Sequence, residues 1–170
     1  DLYHNIAPGL RFFTVYGPLG RPDMSVMIFA RRIMDGKPLR VFKRADGSEM
    51  LRDFTYIDDI VSGILGAFDT IGNELGSHRI FNLGNSQVVS VSTLISLLQK
   101  SLGRRAIIQS VTLPSLGEVK QTNANISLAR DSFKYNPQTS ISAGIDHTLR
   151  WVQSIEGSAL SKDLSMYQPQ

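Results

Sequence analysis

Three kinds of side chain in this sequence could do chemistry. Asp58 and Asp59 form an adjacent carboxylate pair, the residue type that divides general-acid from general-base work when its environment separates the two groups. The pair stands where a helical pattern begins, however, and carboxylates there cap the helix and face its positive end more simply than they catalyse. His4, His78 and His147 are isolated and show no metal-ligand spacing. The chain has no cysteine, so it carries no disulfide framework, thiolate metal site or catalytic thiol. What remains is cationic, with 18 Lys and Arg against 15 Asp and Glu for a net charge of +3. These cations are scattered, and no run interleaves them with aromatics. That argues against a nucleic-acid partner and for a small anionic ligand met at a few positions. A guanidinium suits phosphate oxygens because its fork of donors engages two of them at once.

Such residues need elements to hold them. Residues Leu10 to Tyr16 are rich in aromatic and branched side chains and are stopped by Gly17-Pro18, which predicts a strand. After a loop over 19–23, Met24, Met27, Ile28, Arg31 and Met34 fall near helical spacing, with Gly36 and Pro38 just beyond the end. Leu39 to Phe42 reads as a short strand, 43–48 as a turn-rich link, and 50–54 as the next strand. A helix capped by Asp58 or Asp59 carries Ile60, Ile64, Leu65 and Phe68, and its Gly63 and Gly66 suggest close packing.

Arg79 to Leu83 predicts another strand, and Ser90 or Ser92 opens a helix through Leu94, Ile95, Leu98 and Leu102 that ends at Gly103. A strand over 106–111 precedes a loop at 113–117. One helix runs from near Asn125 to about Tyr135, and a last helix holds Ile145, Leu149, Trp151 and Val152. The remainder, 156–170, is short of large apolar residues and reads as a mobile tail. Alternating strands and helices favour an α/β architecture with parallel strands.

At 170 residues, 42% hydrophobic and 19% charged, the chain has the size and apolar content of one packed domain or a piece of a larger one. No apolar run approaches the roughly 18 to 20 residues that span a bilayer, and the charged opening Asp1-Leu2-Tyr3-His4-Asn5 is no signal peptide. A chain that moves from a few polar residues straight into a core-like strand reads as cut from something longer.

Four stretches, in order and at matching separations, resemble the extended short-chain dehydrogenase/reductase family, and within it the UDP-glucuronate 4-epimerases. They are Leu10-Arg11-Phe12-Phe13-Thr14-Val15-Tyr16-Gly17-Pro18, Gly20-Arg21-Pro22-Asp23-Met24, Arg52-Asp53-Phe54-Thr55-Tyr56-Ile57-Asp58-Asp59-Ile60 and Phe81-Asn82-Leu83-Gly84-Asn85. A weaker fifth match joins Gly117-Glu118-Val119 to Thr122-Asn123-Ala124-Asn125-Ile126. The resemblance covers roughly residues 9 to 153. It implies the C-terminal portion of a Rossmann-like enzyme with the substrate-binding subdomain over 1–155, and with the first half of the parallel sheet missing.

The resemblance also implies roles for particular residues. Arg52 matches the arginine that holds the nucleotide-sugar diphosphate, with an ion pair to Asp53, Asp58 or Asp59 as the plainer alternative. Arg21 matches a position near the sugar carboxylate. A 4-keto uronic acid is a β-keto acid prone to lose CO2, and a cation fixing that carboxylate would hold it out of the orientation required. An exposed loop arginine is the alternative. Val41 and Phe42 lie where relatives flank the uracil ring. Tyr16, Gly17 and Pro18 match the turn that approaches the nicotinamide end of NAD, and Gly17 would permit close backbone approach. Glu118 stands where the family usually has Asp after Gly for ribose recognition, and the basic residue often found shortly before that Gly is replaced by Pro114-Ser115-Leu116. Asn82 and Asn125 fit family positions but sit at element ends, where Asn caps or turns.

Two parts of the family pattern are absent. In such enzymes NAD sits on a Gly-rich turn and helix terminus, yet the chain contains no Gly-x-Gly. The Tyr-x-x-x-Lys pair, whose lysine favours the phenolate that acts as base, is missing too: the fourth residues after Tyr3, Tyr16, Tyr56 and Tyr135 are Ala7, Gly20, Ile60 and Thr139. The resemblance therefore implies a complete enzyme that interconverts UDP-glucuronate and UDP-galacturonate by transient C4 oxidation with bound NAD. This chain would supply the UDP-sugar side, hold no catalytic residue and turn nothing over alone. The alternatives are another sugar-nucleotide epimerase or dehydratase, and a truncated, non-catalytic nucleotide-sugar-binding protein. The oligomeric state stays open, with a homo-oligomer one option for the full-length protein. The compartment stays open between bacterial cytoplasm and plant Golgi, where an upstream anchor precedes the catalytic domain.

Overall fold

The structure, a computed structural model, describes residues 8–70, 79–112 and 119–154. The expected tail over 156–170 and Glu118 lie outside the described residues. Seven strands and five helices follow in order among those described: β1 (Gly9–Phe12), β2 (Thr14–Tyr16), α1 (Ser25–Met34), β3 (Pro38–Lys43), β4 (Leu51–Tyr56), α2 (Ile57–Thr70), β5 (Ile80–Leu83), β6 (Val88–Ser90), α3 (Val91–Leu102), β7 (Ile107–Thr112), α4 (Ser127–Phe133) and α5 (Ile141–Gln153). The α/β class holds, and parallel pairing dominates. β1 runs parallel to β5, β2 to β4 and β3 to β7.

The strand expected over 10–16 is two strands. β1 pairs from Gly9↔Ile80 to Phe12↔Leu83, and β2 from Thr14↔Phe54 to Tyr16↔Tyr56. Phe13 is the changeover, its N–H still reaching Leu83 O at 3.3 Å. Propensity sees one apolar run because the exchange of partner is a long-range event. β6 has no counterpart among the expected strands. It is only three residues long and runs antiparallel to β4, with Arg52 opposite Val89 and Asp53 opposite Val88.

Local signals place most helix ends. The Ser90 hydroxyl accepts Thr93 N–H at 3.1 Å to start α3, and Gly103, at φ 63°, ends it. Ser140 opens α5 by accepting Ala143 N–H at 3.2 Å. The expected aspartate cap of α2 is a correction. Its helix follows β4 without a break, and the buried Asp59 carboxylate instead accepts the N–H groups of Gln138 and Thr139 at 2.9 and 3.1 Å. Asp58 stays exposed in the first turn, where its charge still suits the helix dipole.

Two apolar clusters hold these elements. The larger joins Phe29 and Ile33 of α1, Leu39 and Val41 of β3, Phe54 and Tyr56 of β4, Leu94 and Leu98 of α3, and Leu149 of α5. The smaller gathers Ile60, Phe81, Leu83, Ala129 and Tyr135. The close packing expected at Gly63 is present. A Cβ there would lie 2.9 Å from both Leu83 Cδ1 and the Tyr135 ring, so only glycine lets α2 approach so near.

Candidate functional site

A cleft of about 310 Å³ opens where α1, β3 and β4 meet. Strand alternation builds it. On β3, Leu39 and Val41 are buried in the core, so Arg40 and Phe42 face the other way and line the cleft. On β4, Arg52 points into the cleft while Asp53, the next residue, is fully buried. Three arginines, Arg32, Arg40 and Arg52, stand against one aspartate, Asp23, in the lining. Phe29, Phe42, Phe54 and Met50 supply apolar and aromatic surface. Ser25, in the first turn of α1, also lines it, and no side chain caps that helix end. Cations beside flat apolar walls are the complement of a ring joined to an anionic group.

Arg52 is held in place from two directions. Its Nη1 donates to Leu51 O and to Val119 O, both at 2.9 Å, and Nη2 approaches Met50 Sδ at 3.4 Å. The segment it crosses is itself tied to β4, Leu51 N–H reaching Lys120 O at 3.0 Å and Thr122 N–H reaching Leu51 O at 3.1 Å. Arg32 donates to Pro38 O at 2.8 Å, fixing the end of α1 to the start of β3.

Asp53, named in the sequence only as an ion-pair alternative for Arg52, does something else. Its Oδ1 accepts Asn85 N–H at 2.8 Å and the Thr55 hydroxyl at 3.1 Å, while Oδ2 accepts the N–H groups of Ser86 and Ala124, both at 2.9 Å. A fully buried carboxylate with four donors is satisfied without a cation. It anchors β4 and thereby the strand on which Arg52 stands. An Arg-Asp dipeptide in a strand could have signalled this, because neighbouring side chains point to opposite faces.

The other candidate residues fall in several places. Phe42 joins Arg52 in the cleft, while Val41 is 5% exposed and packs in the core behind it. Arg21 is exposed and forks onto Asp23, Nε to Oδ1 at 3.0 Å and Nη2 to Oδ2 at 2.5 Å. That hydrogen-bonded pairing holds the Asp23 carboxyl below the usual carboxylate range and raises Arg21 further. Asp23 reaches the cleft, so Arg21 stands at its rim through Asp23. Asn82 donates to Asn125 O at 3.1 Å, and Asn125 Oδ1 accepts Ser127 N–H at 3.0 Å, the turn-forming roles expected of both.

Tyr16, Gly17 and Pro18 lie apart from the cleft lining. Tyr16 is 3% exposed, packed edge-on against Phe54 and Tyr56 with its hydroxyl 3.5 Å from Ile141 O. Burial first, then the Asp59 carboxylate, pushes this hydroxyl well above its ordinary range, which favours its protonated form. Gly17 is buried at φ 148°, with its carbonyl accepting Gly20 N–H at 3.1 Å. With Tyr16 turned inward and no Gly-x-Gly in the sequence, the residues present do not by themselves fit a dinucleotide. No cluster of metal-binding side chains occurs among the described residues, and no helix there is long and apolar enough to cross a membrane.

Several known proteins resemble this chain in sequence and fold. A model of the NAD dependent epimerase/dehydratase family matches residues 5–84. UDP-glucuronate 4-epimerase 1 of Arabidopsis thaliana is 44% identical over 165 residues, covering 92% of this chain and 38% of that protein. UDP-glucuronate 4-epimerase 2 of the same plant is 46% identical over 152 residues, covering 84% and 35%. The crystal structure of UDP-glucuronic acid 4-epimerase from Bacillus cereus, in complex with UDP-glucuronic acid and NAD, superposes with a TM-score of 0.75 at 35% identity over 85% of this chain and 44% of that one. UDP-glucose 4-epimerase of Thermus thermophilus, at 21% identity and a TM-score of 0.74, shares the fold. The chain thus spans less than half the length of the relatives it matches. By the family model over residues 5–84 and the relatives over most of its length, this chain is similar to the NAD dependent epimerase/dehydratase family.

Proposed function

We propose that this chain forms the sugar-nucleotide side of an epimerase cleft whose substrates are UDP-glucuronate and UDP-galacturonate. The observation that carries the reading is Arg52 and Phe42 lining one cleft, a fixed guanidinium and an aromatic ring. The first suits a diphosphate and the second a pyrimidine. The relatives that the chain resembles are UDP-glucuronate epimerases, one of them holding UDP-glucuronic acid and NAD. The hydride acceptor and the base of such a reaction find no site in the residues present. Purified 1–170 with added NAD is therefore expected to bind the nucleotide sugar and turn none of it over.

For the uronate, the pertinent contact is Arg21. Its guanidinium already grips one carboxylate, that of Asp23, in a fork, and a sugar carboxylate would exchange with Asp23 there. Titration calorimetry tests both levels. Arg52→Ala should weaken UDP-glucuronate binding by more than about tenfold, whereas Arg44→Ala, outside the cleft, should leave it within about twofold. Equal losses would remove Arg52 from the site. Tighter binding of UDP-glucose than of UDP-glucuronate would replace the uronate with a neutral sugar.

A further inference from the structure

Arg40 is absent from the residues that the family pattern marks, yet the fold brings it into the cleft. We infer that Arg40 is a second anion-contacting residue of this site and takes up a phosphate of the nucleoside diphosphate; the inference rests on the reading of the cleft given above.

Two observations carry it. Alternation on β3 turns Arg40 and Phe42 to the same side, and the Arg40 Cζ lies 5.5 Å from the Phe42 ring centroid. Stacking engages the face of a guanidinium and leaves its in-plane N–H donors directed outward. Among the described residues those donors have no hydrogen-bond or ion-pair partner, whereas Arg32 and Arg52 each donate to backbone carbonyls.

The experiment titrates the full chain with uridine, UMP and UDP. Arg40→Gln should weaken UDP binding about tenfold and leave uridine binding within about twofold, because a phosphate contact is charge-assisted and a nucleoside has no phosphate. Arg40→Lys, which keeps the charge but not the fork, should fall between wild type and Arg40→Gln. Arg105→Gln removes an exposed charge outside the cleft and should stay within about twofold of wild type, which separates a local contact from a change in net charge. Since Arg40 is exposed, the variants should melt as wild type does. Unchanged UDP binding in Arg40→Gln would overturn the inference while the reading of the cleft stands. Equal losses for uridine and UDP would also overturn it, making Arg40 only a cover for Phe42. Failure of the wild type to bind UDP at all would remove the reading of the cleft and the inference together.

Discussion

The carboxylate of Asp53 accepts the backbone N–H of Ala124 at 2.9 Å, joining β4 to a segment 71 residues away in sequence. Three further donors, from Asn85, Ser86 and Thr55, complete its shell. Asp53→Asn replaces one acceptor oxygen with a donor: at Oδ2 it would face the Ser86 and Ala124 N–H groups, and at Oδ1 the Thr55 hydroxyl can turn to accept it while the Asn85 N–H loses its acceptor. We expect a loss of about 3 kcal/mol, read as a lower urea midpoint at unchanged slope. A loss below about 1 kcal/mol would mean that the shell relaxes or admits water.

Tyr16 and Gly144 test whether the tyrosine is a packing residue. A Cβ on Gly144 would lie 2.1 Å from the Tyr16 hydroxyl oxygen and 2.8 Å from Cζ. Gly144→Ala should cost about 2 to 3 kcal/mol through overpacking. Tyr16→Phe removes the nearest clash and only a long, 3.5 Å hydrogen bond. It should cost less than about 1 kcal/mol alone and recover part of the loss in the double variant. Strict additivity of the two, measured by denaturant unfolding, would show that the helix moves rather than the ring.

Alkaline pH should unfold the chain through its buried tyrosines. Burial first, then the Asp59 and Asp53 carboxylates, raises the Tyr135 hydroxyl above its usual 10.0, and burial with Asp59 does the same for Tyr16. The unfolded chain releases these protons near pH 10 while the folded chain retains them. The stability they carry is therefore complete below about pH 10 and is lost as pH rises from there through the folded values. Tyr135→Phe gives up a hydrogen bond to Gly84 O at 3.1 Å and should be about 1 kcal/mol less stable at pH 8. It should draw level with wild type as the pH approaches about 11. Parallel curves for the two proteins would remove Tyr135 from the alkaline transition.

One face of α2 predicts self-association. Val61, Ile64, Leu65 and Phe68 recur at helical spacing, and all are exposed, Leu65 to 57% and Phe68 to 69%. Ile80 and Phe12 of the β1–β5 pair are exposed as well. Contiguous apolar surface of this kind drives association, and a bared strand pair adds an edge. Leu65→Glu with Phe68→Lys should raise the soluble fraction and lower the concentration dependence of sedimentation, at a stability change within about 0.5 kcal/mol. A wild-type chain that sediments as a monomer at every concentration would contradict this.

Sequence alone carried the class and most of the elements of this chain, because those depend on neighbours within a few residues. The helices that Ser90 and Ser140 cap, the stop at Gly103 and the parallel α/β alternation are all written locally. Ordered motifs likewise pointed to the family and to Arg52 and Phe42, which the fold brings into one cleft. The tertiary structure decided what local pattern cannot express. Phe13 divides one apolar run between two partner strands, Asp59 leaves its own helix end to hold Gln138 and Thr139, and Tyr16 turns inward against Gly144. Each is a choice among long-range partners. The same holds for Arg40 and Asp53, since a strand residue lies in the core or in the cleft only once the layers on either side are in place.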